Sequence, residues 1–95
     1  MRSRYSAYVL ALEGYLLQSW HRSTRPAALN IAREKPAPRW YGLKILRYQP
    51  VDPDNAFVEF VAKYKVGGGG MQRLRELSRF RREDGHWFYV SGEDR

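Results

Sequence analysis

Residues 74–90 read LRELSRFRREDGHWFYV, and the placing of charge in this stretch decides the fold. Side chains of a strand alternate between its two faces. Leu74, Glu76, Ser78 and Phe80 therefore share one side, and Arg73, Arg75, Leu77, Arg79 and Arg81 share the other. Asp84-Gly85 is a strong signal for a two-residue hairpin turn, and it returns the chain through a strand at His86–Ser91. A glutamate and a serine thus occupy a row of core positions, with a basic stripe behind them. The pattern predicts an amphipathic hairpin in a curved sheet around a small polar-lined cavity. It names no reaction.

Upstream, Ala56–Val66 alternates in the same way, with Val58, Phe60, Ala62 and Tyr64 on one face. Gly67–Gly70 reads as a flexible hairpin tip joining it to a strand at Met71–Glu83. A phosphate cradle would need a following helix and a lysine, and the strand pattern argues against that. Trp40–Tyr48 is a further strand, and Gln49–Asn55, with two prolines, is the turn after it. The N-terminal part predicts a helix over Ser3–Ser19. Its apolar stripe is Tyr5, Tyr8, Val9, Leu12, Leu16 and Trp20, and Gly14 costs about 1 kcal/mol against alanine. A second short helix is expected from Ser23 or Thr24, either of which suits an N-cap, with Pro26 in its first turn. It should end before Pro36, and Lys35–Arg39 reads as a proline-rich connector. The last four residues, Gly92–Arg95, are expected to fray. The expectation is one α+β domain over residues 1–95, with N-terminal helices packed on a curved, antiparallel four-stranded sheet.

The chain has 95 residues, 43% of them hydrophobic and 15% aromatic, enough for one small core. Seventeen basic and ten acidic residues give a formal charge of +7, which suits an anionic partner or a solvated cationic surface. There is no cysteine, so disulfides, thiolate zinc sites and cysteine nucleophiles are excluded. His21 and His86 have no metal-ligand spacing. No metal and no cofactor are expected. No stretch approaches the roughly 20 apolar residues of a membrane span. The start, MRSRYSAYVLALEGYLL, is interrupted by Tyr5, Tyr8, Glu13 and Tyr15, so it reads as a folded helix and not a signal peptide. A cytoplasmic protein is expected.

The runs MRSRYSAYVL, YLLQSWHRSTRPA, WYGLKIL, FVEFVAKY and ELSRFRREDGHWFYVSG together resemble the YchJ-like bacterial family, in its central domain. RSRYSAY and WHRSTRP are the distinctive segments, and the likeness extends over about Met1–Gly92. It implies a nuclear-transport-factor-2-like cone, in agreement with the pattern. Members of that family usually also carry a Cys-rich SEC-C zinc motif before the RSRYSAY segment. This chain has no such motif, so the expectation is a central domain alone or a shortened relative. The resemblance implies no reaction.

Three candidate sites follow. The first is a ligand pocket inside the cone, formed by Trp20, His21, Trp40, Tyr64, Glu76, Ser78, Trp87 and Tyr89. Glu76 as general base, His21 as its partner and tyrosine hydroxyls as oxyanion donors would make a lyase or isomerase. The structural alternative pairs Glu76 with Arg2 or Arg4 and locks the first helix on the sheet. The second is WHRSTRP, where His21, Arg22 and Arg25 flank the expected helix N-terminus. The alternative there is simple capping by Ser23 or Thr24. The third is the back of the sheet, a basic face of Lys63, Lys65, Arg73, Arg75, Arg79 and Arg81 around Phe57, Val61, Leu77, Phe88 and Val90. It suits a homodimer through the apolar residues, or weak binding of polyanions such as RNA or a ribosomal surface. The leading expectation is a non-catalytic ligand- or partner-binding module, with Glu76 structural and the small-molecule ligand unspecified.

Overall fold

The computed structural model describes residues 2–29 and 38–95. Two short helices, α1 (Arg2–Val9) and α2 (Glu13–Gln18), precede four strands: β1 (Pro38–Asp52), β2 (Asn55–Val66), β3 (Gln72–Glu83) and β4 (His86–Asp94). The strands form one antiparallel sheet in the order β1-β2-β3-β4. The expected α+β architecture with a four-stranded antiparallel sheet is present. No helix among the described residues is long and apolar enough to cross a membrane.

The single helix expected over Ser3–Ser19 is instead two. The Leu12 N–H donates to the Ala7 carbonyl at 2.8 Å and the Ala11 N–H to the Tyr8 carbonyl at 3.2 Å. With Ala11 at a φ of 56°, this is the paired hydrogen-bond pattern that ends a helix through one left-handed residue. Alanine holds a place where glycine is usual, so sequence gives no stop signal, and Gly14, the residue that looked weak, lies inside α2. The break also removes Val9 and Leu12 from the expected stripe, while Tyr5, Tyr8, Leu16 and Trp20 still face the interior. Val9 and Leu12 are 47% and 49% exposed, whereas Ala7 and Leu16 are buried.

The expected second helix does not begin where its cap signals stand. Residues 22–24 form a turn, and no helix starts between 22 and 29. The Thr24 hydroxyl donates to the Val90 carbonyl at 2.6 Å instead of capping a helix. The rest of that expected helix, and Lys35–Ala37 of the connector, lie outside the described residues, while Pro38 and Arg39 already belong to β1. Ser19–His21 is docked on β4: the His21 N–H donates to the Tyr89 carbonyl at 2.7 Å and the Tyr89 N–H to the Ser19 carbonyl at 2.8 Å. The WHRSTRP segment is thus a strap along the outer edge of the sheet.

The strands run longer than their alternation shows. β1 continues to Asp52, whose carboxylate accepts from the Asp54 N–H at 2.8 Å and from the Asn55 side chain at 3.0 Å. These bonds hold its carboxyl below the usual range, Asn55 first and the Asp54 N–H second. The wide turn expected at Gln49–Asn55 shrinks to Pro53–Asp54. At the other hairpin, Asp84 and Gly85 take φ of 50° and 78°, the two positive values that match the twist of flanking strands. Gly92–Asp94 does not fray. It pairs with Ser78–Glu76, and the Arg95 N–H donates to the Arg75 carbonyl at 2.9 Å.

The inner face follows the expected register. Ala56, Val58, Phe60, Ala62 and Phe80 are buried with Ala7 and Leu16. The core also holds polar groups: Ser78 is fully buried, Arg4 is 4% exposed and His21 is 7% exposed. These three organise the interior.

Candidate functional site

Arg4 lies between the helices and the sheet because α1 presents it to the C-terminal end of α2. Its guanidinium donates to the Leu16 carbonyl at 2.9 Å and to the Ser19 hydroxyl at 2.5 Å. Leu16 and Ser19 belong to the last turn of α2 and the residue after it, where carbonyls lack helical partners. The guanidinium carbon also sits 5.4 Å from the Trp20 ring centre and 4.6 Å from that of Tyr89. Burial lowers its pKa from the ordinary value, yet a guanidinium stays protonated in proteins. A buried cation is thus held by carbonyl, hydroxyl and aromatic faces, with no carboxylate in its immediate shell among the described residues.

Glu76 is therefore not the partner of Arg4, and the expected ion pair with Arg2 or Arg4 is absent among the described residues. Its Oε2 accepts from the Ser78 hydroxyl at 2.6 Å and, at the 3.5 Å limit, from the Tyr89 hydroxyl. Its carboxyl lies flat over Gly92, where a Cβ would overlap it. Burial pushes the Tyr89 phenol well above its ordinary pKa, and the nearby Glu76 charge adds to this. Tyr89 thus remains a neutral donor.

Arg4 divides the interior into two spaces. On one side is a cavity of about 180 Å³ lined by Arg4, Tyr5, Tyr8, Trp40, Phe60, Ala62, Leu74, Glu76 and Tyr89. Trp40 is its aromatic centre, with Tyr5 at 5.9 Å, Tyr8 at 6.3 Å and Tyr64 at 5.4 Å between ring centres. On the other side is a cleft of about 500 Å³, lined by Arg2, Ser3, Arg4, Tyr15, Ser19, Ile45, Tyr48, Ala56, Val58, Phe80 and Trp87. The expected pocket is split accordingly. Trp40, Glu76 and Tyr89 line the small cavity, and Tyr64 and Ser78 stand behind its walls through Trp40 and Glu76. Trp87 alone of the expected set lines the larger cleft, its ring covered by Arg82 at 5.6 Å. Trp20 packs edge-on against Tyr89 at 4.8 Å, and its indole N–H donates to the Thr24 hydroxyl.

His21 joins neither space. Its Nδ1 accepts from the Ser23 N–H at 3.1 Å and lies 2.7 Å from the Ser23 hydroxyl, and its Nε2 donates to Glu83 at 2.8 Å. Both ring nitrogens are engaged there, so the Glu76–His21 acid–base pair does not form. Arg22 adds a second bond to Glu83 at 2.8 Å, and Arg25 donates to the Trp20 carbonyl. The expected anion site at a helix N-terminus is replaced by this clasp, because no helix begins there. Bonding from His21 first, and then the charge of Arg22, hold the Glu83 carboxyl below its ordinary range.

The sequence missed the larger cleft. Its polar rim comes from Arg2 and Ser3 of α1, Tyr15 of α2 and Ser19 just beyond it, and the relative angle of the two helices depends on the break at Ala11. The Tyr15 hydroxyl donates to Ser3 at 2.7 Å, and such a tie between helices has no signature in periodicity. No group of three or more His, Asp or Glu side chains suited to a metal occurs among the described residues.

Two short helices over a four-stranded meander, with polar groups in the inner row, define a nuclear-transport-factor-2-like domain. The chain belongs to the YchJ-like family: it matches "YchJ_M-like: YchJ, middle NTF2-like domain" over residues 1–92. It is 53% identical over 94 residues to a UPF0225 protein of Chromobacterium violaceum, covering 97% of this chain and 69% of that one. A UPF0225 protein of Polaromonas naphthalenivorans is 52% identical, with 98% and 65% covered. The chain thus spans about two thirds of the length of these relatives. The solution structure of a SEC-C motif-containing protein from Rhodopseudomonas palustris superposes with a TM-score of 0.86 at 29% identity, covering 98% of this chain and 73% of that one.

Proposed function

We propose that this domain is a non-catalytic binding module in which α1, α2 and the inner face of the sheet form a cone, and that its ligand is a small organic anion held in the 500 Å³ cleft. The observation that supports this is the composition of that cleft: cationic and hydroxyl groups at one end, and Ile45, Val58 and Phe80 along the floor. Its volume lies in the range of small-molecule sites, roughly 300–1,000 Å³, whereas the space beside Glu76 falls below it. A carboxylate at Arg2 and Ser3, with an apolar body between Phe80 and Trp87, satisfies both ends. The lyase or isomerase alternative lacks an acid–base pair, since His21 is held by Glu83. Glu76 serves the packing of β4.

The test is NMR titration with octanoate, with octylamine as the charge-reversed control. The Trp87 indole resonance should shift saturably with octanoate alone, and Arg2→Ala should weaken binding about tenfold, as expected for a charge-assisted hydrogen bond. Glu76→Gln should leave it unchanged. Equal binding of octylamine, or no saturable shift, refutes the anion cleft. Loss of octanoate binding in Glu76→Gln would move the site to the smaller cavity and restore the enzyme reading.

A further inference from the structure

The outer face of the sheet carries a second concavity, separate from the interior. It is a groove of about 730 Å³, with Lys44, Lys63, Arg73, Arg75 and Arg95 around it and Tyr41 at one end. Its existence depends on Gly42. The β1 bulge between Trp40 and Gly42 turns Gly42 to the row of Lys63, and a Cβ placed there would touch nothing within 4 Å. The missing side chain leaves the groove open.

The charge of the groove is largely uncompensated. Arg75 is bound to Glu59 at 3.0 Å and Arg95 to Glu93 at 3.7 Å. Lys44, Lys63 and Arg73 are exposed and form no ion pair among the described residues. The lining is not only charged: Tyr41 is 51% exposed and Leu46 is 39% exposed. Lys65 lies 5.5 Å from the Tyr41 ring centre, which helps fix the ring. Pairing this face with a second copy would set these cationic rows against one another, and like charges facing each other oppose association. An occupant with closely spaced anionic charge and flat apolar surfaces suits both features.

We infer that this groove binds single-stranded nucleic acid, with Lys44, Lys63 and Arg73 on successive phosphates and a base stacked on Tyr41. The inference is independent of the inner cleft, which opens on the opposite face.

The experiment measures fluorescence anisotropy of labelled 12-nucleotide oligo(dT) and oligo(U), with a 12-base-pair duplex and heparin as competitors. Contact with three phosphates gives a log–log salt slope of about −2.1, or about 20-fold weaker binding at 200 mM than at 50 mM salt. Gly42→Glu, whose backbone is not at positive φ, should abolish binding without changing the melting temperature. Tyr41→Ala should cost about 5- to 150-fold, the range for loss of one base stack. Arg79→Ala, on the same face but outside the groove, should change affinity less than twofold. Equal losses in Arg79→Ala and Lys63→Ala would show a diffuse charge effect and overturn the site. Competition by heparin or duplex as strong as by oligo(dT) would do the same. A dimer in light scattering that Gly42→Glu splits into monomers would assign the face to a second copy.

Discussion

Removing Arg4 tests what holds the helices on the sheet. In Arg4→Ala the Leu16 carbonyl, on a residue with no exposed surface, loses its guanidinium donor. The Ser19 hydroxyl remains 3.3 Å from it, so the loss is that of the two guanidinium bonds, to Leu16 and Ser19, about 1.5–3 kcal/mol each for hydrogen bonds to a charged group. The contacts over Trp20 and Tyr89 are lost too, at about 0.5–2 kcal/mol each. Against this, alanine removes the penalty of keeping a cation out of water, several kcal/mol in general. The net loss should be about 2–4 kcal/mol, a large share of the roughly 5–15 kcal/mol stability of a small domain. For a domain of this size that is a fall in Tm of about 10–25 °C. Urea unfolding followed by tryptophan fluorescence measures it, with Arg4→Met beside it to keep volume without charge. If Arg4→Met is as stable as the parent, the guanidinium bonds are not what fixes the helices. Arg4 and Glu76 share Tyr89 and line the same small cavity without touching, so Arg4→Ala and Glu76→Gln should couple weakly, by about 0.5–1 kcal/mol. A coupling of 2 kcal/mol or more would restore the direct ion pair and refute this account of the interior.

Ala11→Gly should stabilise the fold by about 1 kcal/mol, because glycine takes the left-handed conformation without strain; thermal unfolding by circular dichroism reads it, and no gain would mean that the α1–α2 break has other support. Glu83 is depressed below its ordinary pKa of 4.5 by the His21 bond first, so the folded state binds fewer protons on it than the unfolded chain. Its stabilisation is therefore full above about pH 5 and is lost as the pH falls through the folded-state value; Glu83→Gln should flatten the acid limb of Tm against pH, and superimposable profiles would contradict the clasp. Gly92→Ala should destabilise by about 1 kcal/mol, because the end of the Glu76 side chain must swing off Ser78 to make room, and the loss should largely disappear in a Glu76→Ala background; equal losses in both backgrounds would remove Glu76 as the obstacle.

The sheet was legible because its signals are local. Alternation in 56–66 and 72–83 assigns faces within each strand, and Asp84-Gly85 has few uses other than a tight hairpin. The helical part was not legible for a physical reason at one residue. Ala11 has high helix propensity, so its left-handed φ is imposed by how α2 packs, and no single-sequence rule registers it. The tail shows the same limit. Gly92–Asp94 has the composition of a fraying end, but its pairing with β3 and the fit of Gly92 under Glu76 are tertiary.

The candidate site was half legible for a related reason. In the row Leu74, Glu76, Ser78, Phe80 the serine is fully buried and the glutamate half-buried, but a row does not say which distant groups meet it. His21 and Glu83, 62 residues apart, meet because Ser19–His21 docks on the edge of β4, and that docking draws His21 away from Glu76. Among the described residues Arg4 then stands without a carboxylate, because the end of α2 offers it a carbonyl and a hydroxyl first. A Glu76–Arg4 bond would pull Arg4 off α2 and merge the two inner spaces, whereas the observed arrangement keeps them apart and leaves the larger one lined by cationic and hydroxyl groups. The Arg4 bonds to the end of α2 therefore shape the proposed anion cleft, and the separate His21–Glu83 bond removes the acid–base pair, so the anionic ligand and the choice of a binding module over an enzyme rest on two independent sets of contacts.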